Sequence, residues 1–382
     1  MRSWLHWWLL RELRLRDFPR QAMSEPARVR VLDDCLIMPS AVGLHDRQGQ
    51  PLVGSWLERG PVGAAECPYG KPGPIDADAA VREAEELDAA MFLPYCNLDK
   101  FGHLLTEAAG WLWPLLDPGI RSLYLADPDV PVMIVNRSMG LKGVDRVARL
   151  LDVPEERIRT CCSRTRPMLC RKVYLPVPSM VNRRWIADHH LAAVKRLVDH
   201  VYELPDADRQ QLLAAGRDEA AEGKLYLSRS RLPAELRHLQ GEAALEEELR
   251  GRGWRVVYPE RLSIRDQLLT LAGARTIAGE LGSAFHLLMY FGRDLSPKTL
   301  VALGVWRVGR DRRVTNFTAQ CQLQGIDFRY LGCLGFGKRG PGSGLVGREP
   351  PELDRRFLVS PSAVADRLER IARDGFQPPM GR

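Results

Sequence analysis

The sequence has no Cys-x-x-Cys pair and no histidines at a matching spacing. Its eight cysteines, at 35, 67, 96, 161, 162, 170, 321 and 333, therefore indicate neither a zinc site nor a disulfide framework. Buried, reduced thiols in a cytosolic protein are the reading they support. Gly-x-Ser-x-Gly is also missing and no Ser, His and acid arrangement stands out, which leaves acyl transfer from a nucleophile elbow without a motif. Long apolar runs are lacking. The one at the start, in MRSWLHWWLLRELRLRDFPR, is broken by His6, is too short to span a bilayer and has no small-residue cleavage site after it. No basic stripe with interleaved aromatics occurs, so nucleic acid is not an expected partner. Repeats of short period are absent as well.

What is present is ordinary in bulk. A chain of 382 residues, 45% hydrophobic and 27% charged, is long enough for two domains with ample cores, and composition alone assigns it no function. The net charge is +7, and the first thirty residues supply +4 of it, seven arginines against Glu12, Asp17 and Glu25. Laid on a helix, Trp4, Trp8 and Arg11 fall near one another, and Trp beside Arg suits a membrane interface, so residues 1–20 are a candidate peripheral membrane contact. An arm packed on the protein, or residues upstream of a start at Met23, fit the same pattern.

Strand and helix patterns alternate along both halves. In the first, strands are expected at 28–38, 91–93, 121–125, 132–135 and 172–177, and helices at 79–89, 102–116, 144–151 and 183–202. The Pro- and Gly-rich stretch 49–74 reads as loops, and the polar stretch 205–223 as a domain linker. His189 and His190 are expected at the surface or a domain face. His103 and Glu107 are four apart on one helical face, a spacing met equally by a catalytic pair and by a structural hydrogen bond.

The second half is organised around residues 224–286, KLYLSRSRLPAELRHLQGEAALEEELRGRGWRVVYPERLSIRDQLLTLAGARTIAGELGSAFH. A strand at 225–227 delivers Ser228, Arg229, Ser230 and Arg231. A helix at 235–252 and a strand at 254–258 follow, then a helix capped by Ser263, a strand at 275–278, and a further helix opened by Glu280, Gly282 and Ser283 that carries His286. This is half of a doubly wound α/β domain, in which ligands bind outside the carboxyl ends of strands and anions at helix amino termini. Arg229 and Arg231 at a strand exit suit an anion; they also fit as solvated arginines, with Ser283 as a simple helix cap. A strand at 299–303 follows, and Ser360 and Pro361 start a closing helix with Val364, Leu368 and Ile371 on one side. GFGKRG at 335–340 matches Gly-x-Gly-x-x-Gly but runs into PGSG instead of a helix, so a loop is expected there. Asp-x-Asp triplets begin at Asp76, Asp127 and Asp206; only Asp127 to Asp129 follows a strand, and Pro128 makes it turn-like.

The ordered spacing of 224–286, with NLDKFGHLLTEAAGWLWPLL at 97–116 and its Asn, His and acid, resembles the family 61 glycosyltransferases. That family includes bacterial capsule and exopolysaccharide enzymes and relatives that decorate plant and animal glycans. The resemblance implies a GT-B-like α/β fold of two Rossmann-like domains facing a cleft, with boundaries here at 1–23 (arm), 24–205 (acceptor side), 206–345 (nucleotide-sugar side) and 346–382 (a tail whose helix returns to the first domain). It implies an inverting, metal-independent transfer from a nucleotide-sugar donor to a glycan or lipid-linked glycan acceptor, in the cytoplasm or at the inner face of the membrane, without a cofactor. Glu107 is then the expected base with His103 orienting it, since a carboxylate in a partly dry cleft can have its pKa raised. Asn97 lies on the acceptor side. Arg229, Gly282 and Ser283 hold the diphosphate, with Arg231, Arg237 and His286 assisting and Glu280 contacting sugar hydroxyls. One departure stands out: where the family commonly has an acidic residue after the strand that follows the Gly-Ser helix, this chain reads Val301, Ala302, Leu303, Gly304. A non-catalytic relative that binds a glycan or nucleotide and scaffolds a capsule assembly complex is the alternative.

Overall fold

The structure is a computed structural model that describes residues 11–18, 20, 22–23, 27–38, 43–56, 72–94, 96, 98, 100–135, 144–161, 166–181, 184–233, 239–305, 315–336, 356–358 and 360–377. The chain is α/β and forms two compact units, residues 21–204 and residues 1–20 with 205–382. Among the described residues no helix is long and apolar enough to cross a membrane.

The chain opens with β1 (Arg11–Arg14), which belongs to the carboxyl unit. The amino unit then runs β2 (Ala22–Met23), β3 (Val29–Ile37), β4 (Leu44–His45), α1 (Ala77–Glu83) and β5 (Glu85–Leu93). A continuous helix follows, made of α2 (Phe101–His103), a π-helical turn (Leu104–Ala108) and α3 (Ala109–Leu112). After it come α4 (Pro118–Leu125), β6 (Val132–Val135), α5 (Val144–Leu151), β7 (Ile158–Cys161), β8 (Met168–Pro176), β9 (Met180–Val181), β10 (Trp185–Ala187) and α6 (His189–Val201). The main sheet has the order β4-β3-β8-β5-β6-β7, and β8, β5, β6 and β7 are parallel. Strand order therefore reverses between β5 and β8. Ile37, Phe92, Trp111, Met133 and Val173 share its core.

Several expectations change here. The helix expected at 79–89 stops at Glu83, because the chain pairs with β8 from Glu85 onward; Arg159 of β7 (2.7 Å to Glu85) and Arg171 of β8 (3.4 Å to Glu86) accommodate the charges. The strand expected at 121–125 is α4, since Pro118 occupies its first turn and the Asp117 carboxylate accepts from the N–H groups of Gly119 and Ile120. The helix expected from 183 begins only at His189, after β10.

The carboxyl unit contains α7 (Asp206–Arg217), β11 (Gly223–Leu227), β12 (Leu239–Gln240), α8 (Glu242–Gly251), β13 (Arg255–Val257), α9 (Ile264–Ala272) and β14 (Ala274–Glu280). It continues with a 3-10 helix (Ser283–Phe291), β15 (Thr299–Val305), α10 (Thr315–Gln324), β16 (Asp327–Phe336), β17 (Arg356–Leu358) and α11 (Pro361–Asp374). Its parallel core has the order β13-β11-β14-β15-β16, so the reversal falls between β11 and β14. Along the outer edge of β16, β1 pairs antiparallel with Arg329–Gly332 and β17 with Leu334–Phe336.

Residues 205–223, read as a linker, are mostly α7, which packs on α9 and buries Leu212 completely. The helix expected from 235 starts at Glu242 instead. Gly241, at φ +86°, turns the chain out of β12 in a left-handed conformation that a side chain would resist. Val364, Leu368 and Ile371 of α11 pack with Leu245, Leu249 and Trp254. The closing helix thus buries its apolar face within the carboxyl unit. The amino-terminal arm is likewise partly absorbed. Glu12, with its side chain 7% exposed, bridges Arg367 (2.6 Å), Arg14 (3.4 Å) and the fully buried Arg329 (3.5 Å), which also pairs with Asp327 at 2.9 Å. Residues 1–10 and most of GFGKRG lie outside the described residues.

Candidate functional site

In the amino unit, the helix that leaves β5 at the strand reversal carries His103 and Glu107. Sheets of this kind bind ligands at such reversals, outside the carboxyl ends of the strands. His103 Nδ1 is 3.1 Å from Glu107 Oε2, and the Thr106 hydroxyl donates to the same oxygen. The Glu107 side chain is 2% exposed and that of His103 is 35% exposed. The solvent-facing member of the pair is therefore the imidazole. A carboxylate behind a histidine fixes its tautomer and stabilises the imidazolium.

The π-turn beneath this pair widens the helix and is held from behind. His190, entirely buried, lies with Nε2 3.1 Å from the Leu105 carbonyl and with Nδ1 2.8 Å from the Ser179 hydroxyl. His189 packs edge-on to Trp113 at 4.8 Å, and its burial lowers its pKa. The tandem histidines thus brace the interior instead of lining a surface. Asn97 lies outside the described residues.

In the carboxyl unit, the reversal between β11 and β14 brings together the two strand ends singled out in the sequence. Arg229 follows β11 and Gly282 follows β14. Gly282 has an extended backbone that any residue could adopt; what favours glycine is space, because a Cβ there would stand 3.2 Å from Arg229 Nη1. Arg229 Nε is 3.9 Å from Glu280 Oε2, close enough for attraction and too long for a hydrogen bond. Ser283 is exposed at the first position of the 3-10 helix. Arg231 is exposed with its guanidinium 5.7 Å above the Tyr258 ring, and Arg237 lies outside the described residues. His286 is buried: it stacks on Phe317 at 4.3 Å and its Nδ1 is 2.8 Å from Gln320 Oε1.

Two carboxylates at the same strand ends escaped the sequence reading. Glu246 Oε1 accepts from the hydroxyls of Ser228 (2.6 Å) and Ser230 (2.5 Å), and Oε2 accepts from Tyr258 (2.7 Å) and Arg250 (2.9 Å). Burial alone would raise its pKa, but those four donors outweigh burial and lower it. Glu242, one turn earlier, is 1% exposed; its Oε1 accepts from the Tyr226 hydroxyl (3.0 Å) and the Arg229 N–H (3.1 Å). Burial, with Glu280 and Glu246 nearby, overrides those two bonds and pushes Glu242 up to about 7. The missed signal was the spacing of Glu242 and Glu246 beside Leu245 and Leu249, which puts them on the helix face turned to the sheet.

Among the described residues, no group of three His, Cys, Asp or Glu side chains gathers to hold a metal. Asp127 and Asp129 form a turn closed by the Asp129 N–H on Asp127 Oδ1 at 2.9 Å. The six described cysteines are buried and none of them forms a disulfide.

No curated protein matches the chain. The model of the glycosyltransferase 61 family matches residues 101–302, more than half of the sequence and a span that takes in the helix carrying His103 and Glu107 and the β11/β14 reversal. The chain belongs to that family and is a glycosyltransferase.

Proposed function

We propose that the protein is an inverting, GT-B-like glycosyltransferase that moves a sugar from a nucleoside diphosphate donor held by the carboxyl unit to a glycan acceptor received by the amino unit. The observation that carries this reading is the meeting of Arg229 and Gly282 at the β11/β14 reversal, where a cation and an open backbone await an anion. Arg229 binds the diphosphate, and Ser283 with the start of the 3-10 helix adds hydrogen bonds. Glu280, beside Arg229, contacts sugar hydroxyls. Inversion needs in-line attack by an acceptor hydroxyl and a group to take its proton. His103 takes that proton, and Glu107 holds the ring and stabilises the imidazolium. Charge on the departing diphosphate is met by arginine and backbone rather than by a metal. The work is that of polysaccharide biosynthesis, capsule assembly being one setting, in the cytoplasm, with peripheral membrane contact through residues 1–20.

A thermal-shift screen of nucleotide sugars against the purified protein is expected to identify the donor. Arg229→Ala should weaken that donor by about 1.5 to 3 kcal/mol, the range for hydrogen bonds to charged groups. Unchanged affinity would remove the donor site from this strand end. Turnover of the identified donor should persist in EDTA; complete loss that added metal reverses would favour Asp127 and Asp129 instead.

A further inference from the structure

The charges at the β11/β14 strand ends do not balance. Glu246 is paired with Arg250, and Glu280 lies beside Arg229. Glu242 faces Tyr226 on β11, Arg229, Glu280 on β14 and Glu246 on its own helix, and among the described residues no cation is paired with it. Its Oε2 is buried with no hydrogen-bond partner, and so is Arg229 Nε. One residue thus leaves an acceptor unmet and its hydrogen-bonded neighbour leaves a donor unmet, at the same strand end. Leaving such groups unpaired is costly, and more so when they are charged. A diphosphate arriving at Arg229 would add negative charge beside three carboxylates, and the carboxylate without a cation is the one that has most to gain from a proton.

We propose that Glu242 binds the donor diphosphate as the neutral acid, its Oε2–H donating to a phosphoryl oxygen that Arg229 also holds, so that binding takes up one proton. This rests on the donor-site reading above. The proton comes from solvent and stays on Glu242 while the anion is bound; no covalent bond is made or broken. With Glu242 pushed up to about 7, the free protein already holds this proton at pH 6 and has largely lost it at pH 8. Affinity is then flat below neutrality and falls as pH rises through it.

The test is titration of the full-length protein with inorganic pyrophosphate between pH 6 and 8. Glu242→Gln keeps an oxygen for Tyr226 and the Arg229 N–H and replaces the acidic O–H by an N–H that does not titrate. Pyrophosphate's own titration cancels in the comparison, and the wild type should lose about tenfold in affinity relative to Glu242→Gln across that range. An equal pH dependence in both proteins would overturn the proposal and leave the donor site standing. Failure of pyrophosphate to bind the wild type at any pH would remove the donor site itself. Should the variant not fold, infrared difference spectra of the wild type at pH 8 decide. Adding pyrophosphate is expected to raise a protonated-carboxyl band at the expense of carboxylate bands, and a spectrum without that exchange would overturn the proposal.

Discussion

His103→Ala is expected to lower kcat by about 10²- to 10⁴-fold with donor affinity unchanged, the loss that follows removal of a general base. The geometry sets the contrast with its partner. Glu107 is nearly sealed from solvent and its Oε2 is shared between His103 and Thr106, so in the proposed reaction it acts through the ring. Glu107→Gln removes the charge that favours the imidazolium. Its kcat should fall by about tenfold or more, because the ring loses the carboxylate that orients it and balances the proton it takes. Single-turnover rates and pH profiles of both variants, with the donor found by screening, separate the two roles. If Glu107→Gln lost the acid limb altogether while His103→Ala retained it, the carboxylate would be the base. Normal turnover in both would make the pair structural.

Glu12→Gln should cost the carboxyl unit about 3 kcal/mol. One carboxylate serves three arginines there, and Arg329 has no access to water. Breaking a buried pair from one side typically costs 3–5 kcal/mol, because the remaining charge is stranded. The lower end applies here, since Asp327 keeps its contact with Arg329 at 2.9 Å. Urea denaturation of the two proteins measures the difference. A loss under about 1 kcal/mol would mean that the arginines relax into solvent and that the arm is not a structural element.

Much of this was written locally in the chain. Ser263 and Ser360 cap the helices they were expected to cap, with Oγ accepting from the Asp266 and Ala363 N–H groups, because a cap needs only a hydroxyl and the next turn. Val144–Leu151 shows helical spacing and is a helix at those bounds. Strand positions at Val132–Val135 and Thr299–Leu303 were legible as short apolar runs. What failed depended on partners far away. Glu85 and Glu86 look helical until Arg159 and Arg171 stand across from them. Arg11–Arg14, charged at three of its four positions, becomes a strand because β16 offers an open edge. At the candidate site, residue types and order located Arg229, Gly282, His103 and Glu107. Which of His103 and Glu107 faces solvent, and that Glu242 and Glu246 turn inward, depends on packing that no local spacing encodes.

The pairing of β1 with β16 also fixes the order of events during synthesis. The whole amino unit is spliced into the carboxyl one between its first strand and its second, so Arg14 is made roughly 300 residues before its partner Arg329. At 5–20 residues per second the segment waits about 15 to 60 s with nothing to pair with. Its charge suits that wait, since it discourages pairing with the wrong edge. The expected order is that the ribbon docks after the parallel core of the carboxyl unit has formed, which would keep its contacts out of the transition state for folding. Weakening it through Glu12 should therefore leave the folding rate nearly unchanged and appear almost wholly as faster unfolding.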